Sequence, residues 1–351
     1  MSGAGITPFL EGSRRWMRIR NEYAREALAE LLGTGIVTLF AVAGGIQHFA
    51  NPSDDSMQPI FGSLFGLMAA ILIVGGSSGG HVNPAVTLGL CIAGNCSWIK
   101  LPLFWVAQIL GAYIGAGLAL ANYAWMPLKV GVSMNVFFPA AVVAPVPGTP
   151  IGSGFLDQII GTSILVMLII ACCDKRNMQV PKALIGFFIC LTICGLAMCF
   201  GINAGAVLNP ARDFGARLMG LSVGFRSNQI MTVNGTHWWL VGFFGPLIGG
   251  ALGSVLYVTL IGAHLNDEDE DSKVSKETNG EDWRSTRFMP KAQAPQSPNQ
   301  YNVGPQQQQS PQQGQQPQNP HYGASNYGYS GPGGAQNAGY AREDIRNRQG
   351  Y

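Results

Sequence analysis

Gly80-His81-Val82-Asn83-Pro84-Ala85-Val86-Thr87 and Ala206-Val207-Leu208-Asn209-Pro210-Ala211-Arg212-Asp213 are the two stretches on which the fold turns. Each runs from a glycine-rich approach through Asn-Pro-Ala into a short apolar piece. At ordinary residue usage, one such tripeptide arises by chance in a chain this long with a probability of roughly 5%, and two in well under 1%. The pair therefore reads as a duplicated unit. In each copy Asn stands at the favoured N-cap and Pro at the first helical position, where its missing N–H costs nothing. Both tripeptides are predicted to start helices.

The helices they start, about 84–93 and 210–220, would be only about 15 Å long, half of a bilayer core of roughly 30 Å. Around them lie six apolar stretches near the length of about 20 residues that a span requires: about 26–47, 60–76, 102–122, 154–173, 181–201 and 238–261. A composition of 47% hydrophobic against 11% charged residues over 351 positions excludes a soluble domain. The prediction is an all-α membrane protein with six transmembrane helices and two re-entrant half-helices. Three spans per half make the second half enter from the opposite face, so the repeat is inverted and the two half-helices meet near the midplane. Non-helical backbone at that depth is tolerated only where it is buried in protein or lines a watery cavity. Segments 79–83 and 205–209 are accordingly predicted to line a pore.

These residues resemble the major intrinsic protein family, the aquaporins and aquaglyceroporins. The likeness covers about 24–262 and includes Ala29-Glu30-Leu31-Leu32-Gly33-Thr34, Ala107-Gln108-Ile109-Leu110-Gly111-Ala112 and Asn209-Pro210-Ala211-Arg212-Asp213-Phe214-Gly215. It implies six tilted helices plus two half-helices per subunit, with one pore in each subunit of a homotetramer.

Asn83-Pro84-Ala85 and Asn209-Pro210-Ala211 are the expected centre of the pathway, with both Asn amides donating toward the lumen and the carbonyls of the extended stretches offering acceptors. The positive helix ends disfavour cations and protons. Arg212 is expected at the outer constriction, because an intramembrane Arg is a functional hypothesis by default. Glu30 matches a family position whose buried carboxylate holds the re-entrant backbone, and Gln158 is its counterpart in the fourth span. His81 reads as a loop brace rather than a pH sensor.

Solute choice rests on the resemblance. Asp213, Arg217 and Tyr123 resemble the markers of glycerol-conducting members, whereas Gly242-Phe243 departs from their usual proline and aliphatic pair. The filter positions are Ala206, Ala197 and Ser63, with Phe65 as the alternative to Ser63 if the second helix is shifted. Without aromatic rings there, the filter is expected to be wide. The implied function is passive conduction of glycerol and water, with urea as a further permeant and ions and protons excluded. Two alternatives remain open, a water-selective channel and a non-conducting adhesion or scaffold relative. No nucleophile, acid-base pair or metal cluster near the midplane suggests an enzyme, and no catalytic residue, metal, cofactor or nucleic-acid partner is expected.

Arg14, Arg15, Arg18, Arg20 and Arg25 precede the first span, while the loop after it carries Asp54 and Asp55. The positive-inside rule therefore predicts cytoplasmic termini. Lys175, Arg176 and Lys182 agree, whereas Lys129, Arg217 and Arg226 fall on the outer side. No cleavable signal peptide is read at the amino end. The seven cysteines, Cys91, Cys96, Cys172, Cys173, Cys190, Cys194 and Cys199, lack metal-ligand spacing and read as membrane-packing residues. Of two glycosylation sequons, only that of Asn234 falls outside, and the plasma membrane is the expected location. The chain divides into an amino-terminal segment 1–23, a channel domain 24–262 with halves of about 24–125 and 150–262, and a tail 263–351. That tail opens on an acidic run, Asp267 to Asp271, and continues rich in Gln, Pro, Gly and Asn, so it is predicted to be disordered and to offer cytoplasmic partners a site.

Overall fold

The computed structural model describes residues 16–50, 57–125, 138–139, 141–142, 149–233 and 235–266. In chain order its helices are α1 (Glu22–Ala50), α2 (Met57–Ser78), α3 (Pro84–Ile92), α4 (Lys100–Asn122), α5 (Ile151–Cys173), α6 (Lys182–Ala204), α7 (Pro210–Ser222), the single turn α8 (Ser227–Ile230) and α9 (Trp239–Leu260). Six of them, α1, α2, α4, α5, α6 and α9, are long and apolar enough to cross a membrane. α1, α2, α4 and α5 begin a few residues before the apolar stretches and α6 ends a few residues after its own, whereas α9 stays within its stretch. Lys100 at the start of α4 lies 3.1 Å from Glu22 and 2.8 Å from Glu26 on α1, which carries both helices past the apolar core.

Two close crossings set the scaffold, one in each half. Gly111 and Gly115 of α4 lie against α1 so tightly that a Cβ on either would sit 2.1 Å from a backbone oxygen, that of Leu31 or Gly35. In the second half, Gly249 and Gly253 of α9 lie on α5 in the same way, with Ile159 and Ser163 oxygens 2.6 and 2.3 Å from the added carbon. Hydrocarbon lipid supplies no hydrophobic drive between helices, so packing of this kind, with small residues four apart, is what brings them together. The Ser163 hydroxyl strengthens the second crossing by donating to the Gly249 carbonyl at 2.9 Å.

The half-helices are exchanged between halves. α3 packs chiefly on α9, and α7 chiefly on α4. Ser254 of α9 donates to the Gly89 carbonyl of α3 at 2.8 Å, a direct tie across the repeat. Inside, Val86, Leu165, Val166, Ile170 and Leu208 form one buried apolar cluster, and Val42, Ile46, Phe138 and Ile230 centre another. Outside, Leu110, Leu118, Leu156 and Leu252 are exposed, as side chains facing lipid should be. The protein is a multi-pass membrane protein. The sequence-predicted features at Arg14, Arg15, Asp54, Asp55, Lys129, Asn234 and 267–351 lie outside the described residues.

Candidate functional site

Asn83 and Asn209 are N-caps, as their sequence context requires. The Asn83 side-chain oxygen accepts from the Ala85 amide at 2.9 Å, and that of Asn209 accepts from Ala211 and Arg212 at 3.0 and 3.2 Å. The residue before each Asn is left-handed, Val82 at φ 45° and Leu208 at φ 50°. Side-chained residues reach that region at a cost of about 1–3 kcal/mol each and persist there only when neighbours over-determine them. Both are pinned at each end. The Val82 amide donates to Glu30 at 2.6 Å, and the Leu208 amide to Gln158 at 2.8 Å. The Val82 carbonyl accepts from the Asn209 side-chain amide, and the Leu208 carbonyl from that of Asn83, each at 2.8 Å.

Each Asn spends one of its two side-chain N–H groups on the other half of the repeat, which leaves the second uncommitted. The strained turns explain why: they aim the Val82 and Leu208 carbonyls inward, where only the opposite cap can reach them.

The two anchors differ in capacity. Fully buried, Glu30 accepts from the Ser78 hydroxyl at 2.6 Å, the His81 amide at 3.0 Å, the Val82 amide and the Gln108 side chain at 2.7 Å. Gln158, equally buried, receives only Leu208 among the described residues. His81 braces the first turn, its Nδ1 3.2 Å from the Thr87 hydroxyl and its ring edge-on to Phe104. Ser78 and Thr87 are bracing positions to which the sequence assigned no role, and Gln108, quoted there only within a motif, carried the signal of a lone amide inside an apolar span.

Around these turns lies a continuous cavity of about 1490 Å³. Its lining begins at His48 and Met57, where α1 ends and α2 starts, passes both tripeptide turns, and ends at Asn95, Cys173 and Lys182 at the opposite end of the bundle. Residues 79–83 and 205–209 all line it. Among the described residues, no hydrogen bond is made to the carbonyls of 79–81 or 205–207, which leaves six acceptors uncommitted on the segments that line the cavity. Ser63, Ala197, Ala206 and Arg212 also line it. Phe65 does not: it is 53% exposed, so of the two it is Ser63 that stands on the cavity side of α2. The Ser63 hydroxyl donates to the Pro59 carbonyl at 2.8 Å, which leaves its oxygen as an acceptor. Among the described residues no group of three metal-ligating side chains occurs.

The family model for the major intrinsic proteins matches residues 17–257. The chain belongs to the major intrinsic protein family. Over 272 residues it is 35% identical to human aquaporin-10, covering 73% of this chain and 87% of that protein. Rat aquaporin-9 is 32% identical over 275 residues, covering 75% and 91% of the two chains. Among solved structures, the aquaglyceroporin from Plasmodium falciparum superposes with a TM-score of 0.62 at 25% identity, over 68% of this chain and 97% of that one.

Within this family member, Asp213, Arg217 and Tyr123, which the resemblance offered as markers, are not among the residues that line the cavity. Asp213 and Arg217 form a buried pair on α7, with the guanidinium Nε and Nη2 donating to the two carboxylate oxygens at 2.7 and 3.0 Å. Arg217 also donates to the Ile230 carbonyl, which fixes the turn after α7. Tyr123 ends α4, and its hydroxyl accepts from Gln47 of α1 at 2.6 Å. The departure at Gly242-Phe243 has a local reason. A Cβ on Gly242 would lie 2.4 Å from the Asp213 carboxylate, and Phe243 stands edge-on to Phe214 at 5.3 Å.

Proposed function

We propose that the chain is a passive membrane channel for glycerol and water, with urea as a further permeant and ions and protons excluded. The observation that carries this reading is the cavity bordered by six uncommitted carbonyls and two Asn amides, with a largely apolar lining around them. A polyol can trade its water for acceptors and donors on one side while its carbons rest on the other, which a bare hydrophobic tube does not allow. Small side chains at Ser63, Ala197 and Ala206 support passage of solutes larger than water. Arg212 sets a charge barrier. A cation about 4 Å away at an effective dielectric near 20 meets roughly 4 kcal/mol, close to a thousandfold exclusion. Relatives carrying the names aquaporin-10 and aquaporin-9, and a solved aquaglyceroporin, support the same reading.

Asn83, Pro84, Ala85, Asn209, Pro210 and Ala211 form the central constriction in this proposal, and Ser63, Ala197, Ala206 and Arg212 the filter. Glu30, Gln158 and His81 brace the turns, while Asp213, Arg217 and Tyr123 hold the outer end of the pore wall. The channel domain spans 24–262 and assembles as a homotetramer in the plasma membrane, with both termini cytoplasmic and the tail from 263 open to partners. Burial of Arg217 against Asp213 favours this orientation, because it removes one basic residue from the outer loops.

The test is stopped-flow light scattering on proteoliposomes, comparing shrinkage in an impermeant solute with reswelling under glycerol and urea gradients. Shrinkage and glycerol reswelling both faster than in empty liposomes support the channel. Shrinkage alone makes it water-selective, and neither rate above the blank favours the scaffold alternative.

A further inference from the structure

We propose that the starts of α1 and α4 form a binding site for one acidic phospholipid of the surrounding bilayer, with Arg18, Arg20 and Arg25 on its phosphate and its acyl chains along the seam between the two helices. Residues 14–26 hold five arginines against two glutamates. Both glutamates are already committed, because Lys100 at the start of α4 lies 3.1 Å from Glu22 and 2.8 Å from Glu26. Arg18, Arg20 and Arg25 are exposed, and none forms a salt bridge among the described residues. Three guanidinium groups thus stand without a bridging counter-ion where the first span leaves the bilayer. Trp16 precedes them and Trp98 precedes Lys100, 93% and 57% exposed, and an exposed indole beside a span belongs at headgroup depth.

The seam beneath the arginines selects a lipid over a soluble anion. Leu31 and Gly35 of α1 meet Gly111 and Gly115 of α4 in that order, so the two helices run parallel. At about 100° per residue, Arg25, Leu28 and Leu32 are turned about 60–120° one way from the contact at Leu31, and Ile99, Val106 and Leu110 about 100–140° the other way from Gly111. In parallel helices those opposite turns open on the same side. All five apolar residues are exposed. An apolar trough therefore descends from the arginines into the hydrocarbon layer, where acyl chains lie and a free phosphate or an acidic peptide does not. The arginines supply the preference for an acidic headgroup, about fivefold for each cation near the surface. The inference rests on the proposed orientation only for the leaflet that supplies the lipid.

The experiment is native mass spectrometry of the full chain in detergent, titrated with phosphatidylserine and with phosphatidylcholine of the same chains. The wild type should retain the acidic lipid at least about tenfold more strongly, and raising salt from about 0.05 to 0.5 M should erase most of that preference. R25Q should lower the preference about fivefold, and R18Q/R20Q/R25Q should retain the two lipids alike. K175Q/K182Q, which removes cations between α5 and α6, should match the wild type. L28W/L32W, which fills the trough without altering charge, should weaken both lipids, and glycerophosphoserine, the same headgroup without chains, should displace neither. The proposal is overturned if the wild type retains both lipids equally, if R18Q/R20Q/R25Q keeps the preference, or if K175Q/K182Q loses it instead. Displacement by glycerophosphoserine would make this a site for soluble anions, and a preference that emerges only in D267N/E268Q/D269N/E270Q/D271N would make the chain's own acidic run the occupant; either result also overturns it. If the triple variant is not monodisperse, the wild-type salt titration decides, and a preference unmoved by salt ends the proposal. No arm reads flux, so failure here leaves the channel reading standing.

Discussion

Glu30 and Gln158 hold equivalent backbone amides yet differ by one charge, and their partners say how much that charge matters. Four donors converge on Glu30. Glu30→Gln puts an amide N–H where donors already crowd, and should cost about 3 kcal/mol or more, seen as a lower unfolding temperature in detergent and reduced water flux per inserted chain. Gln158→Glu brings a carboxylate to a fully buried site with one described donor and should also lower the unfolding temperature. At Arg212, substitution by Ala removes the charge barrier, so proton or cation leak in dye-loaded liposomes should rise by orders of magnitude while glycerol flux persists. At this scale much was readable beforehand. Asn caps and Pro starts follow from backbone chemistry, and counting back from Arg212 found wall residues. The choice between Ser63 and Phe65 was not readable. Residues two apart on a helix point about 200° apart, so only one can face the lumen, and composition does not give the phase when both faces of a helix are apolar. The cross-bracing of the Asn side chains was equally hidden, since it depends on where the other half stands.

The helix crossings make a sharper distinction between glycines than their number suggests. Gly115→Val drives a side chain into the Gly35 carbonyl and should cost at least about 3 kcal/mol, giving aggregated rather than monodisperse protein on size exclusion. Gly62→Ala meets nothing within 4 Å and should behave as the wild type. Between α5 and α6, Asp174 receives Arg176 at 3.0 Å and the Tyr257 hydroxyl of α9 at 3.2 Å. The Arg176 guanidinium, above all, holds its carboxyl below the ordinary aspartate range. A depressed carboxylate contributes in full at neutral pH and loses that contribution as pH falls through its folded-state value. Asp174→Asn should therefore lower the unfolding temperature slightly at neutral pH, by no more than about 1 kcal/mol at this partly exposed pair, and the difference should fade as pH falls through the lowered folded-state value. Span positions were legible to within a few residues from hydropathy. Their extensions were not, because Lys100 gains its partners from another helix.

For the whole molecule, the exchanged half-helices mean that neither half can complete its own turn. Split as 1–148 and 149–351, the chain should give no solute flux from either fragment alone, and measurable flux when both are made in one membrane. Flux from a single fragment would show that the braces are dispensable. The inverted architecture was legible from the tripeptides and span count, whereas the hand-over of α3 to α9 and α7 to α4 was not, since equal apolar faces give no preference for one neighbour over another.

The Val82 carbonyl carries a consequence for the order of events during synthesis. Its only described partner, the Asn209 amide, is encoded in the other half of the gene. Until the ribosome has delivered that residue, the first turn holds a left-handed valine with its oxygen unsatisfied, so the early half of the protein is released to the membrane unfinished. Quality control that reads exposed polar backbone would find it there, and a stalled or truncated chain would be marked by the same group that, once answered, closes the centre of the pore.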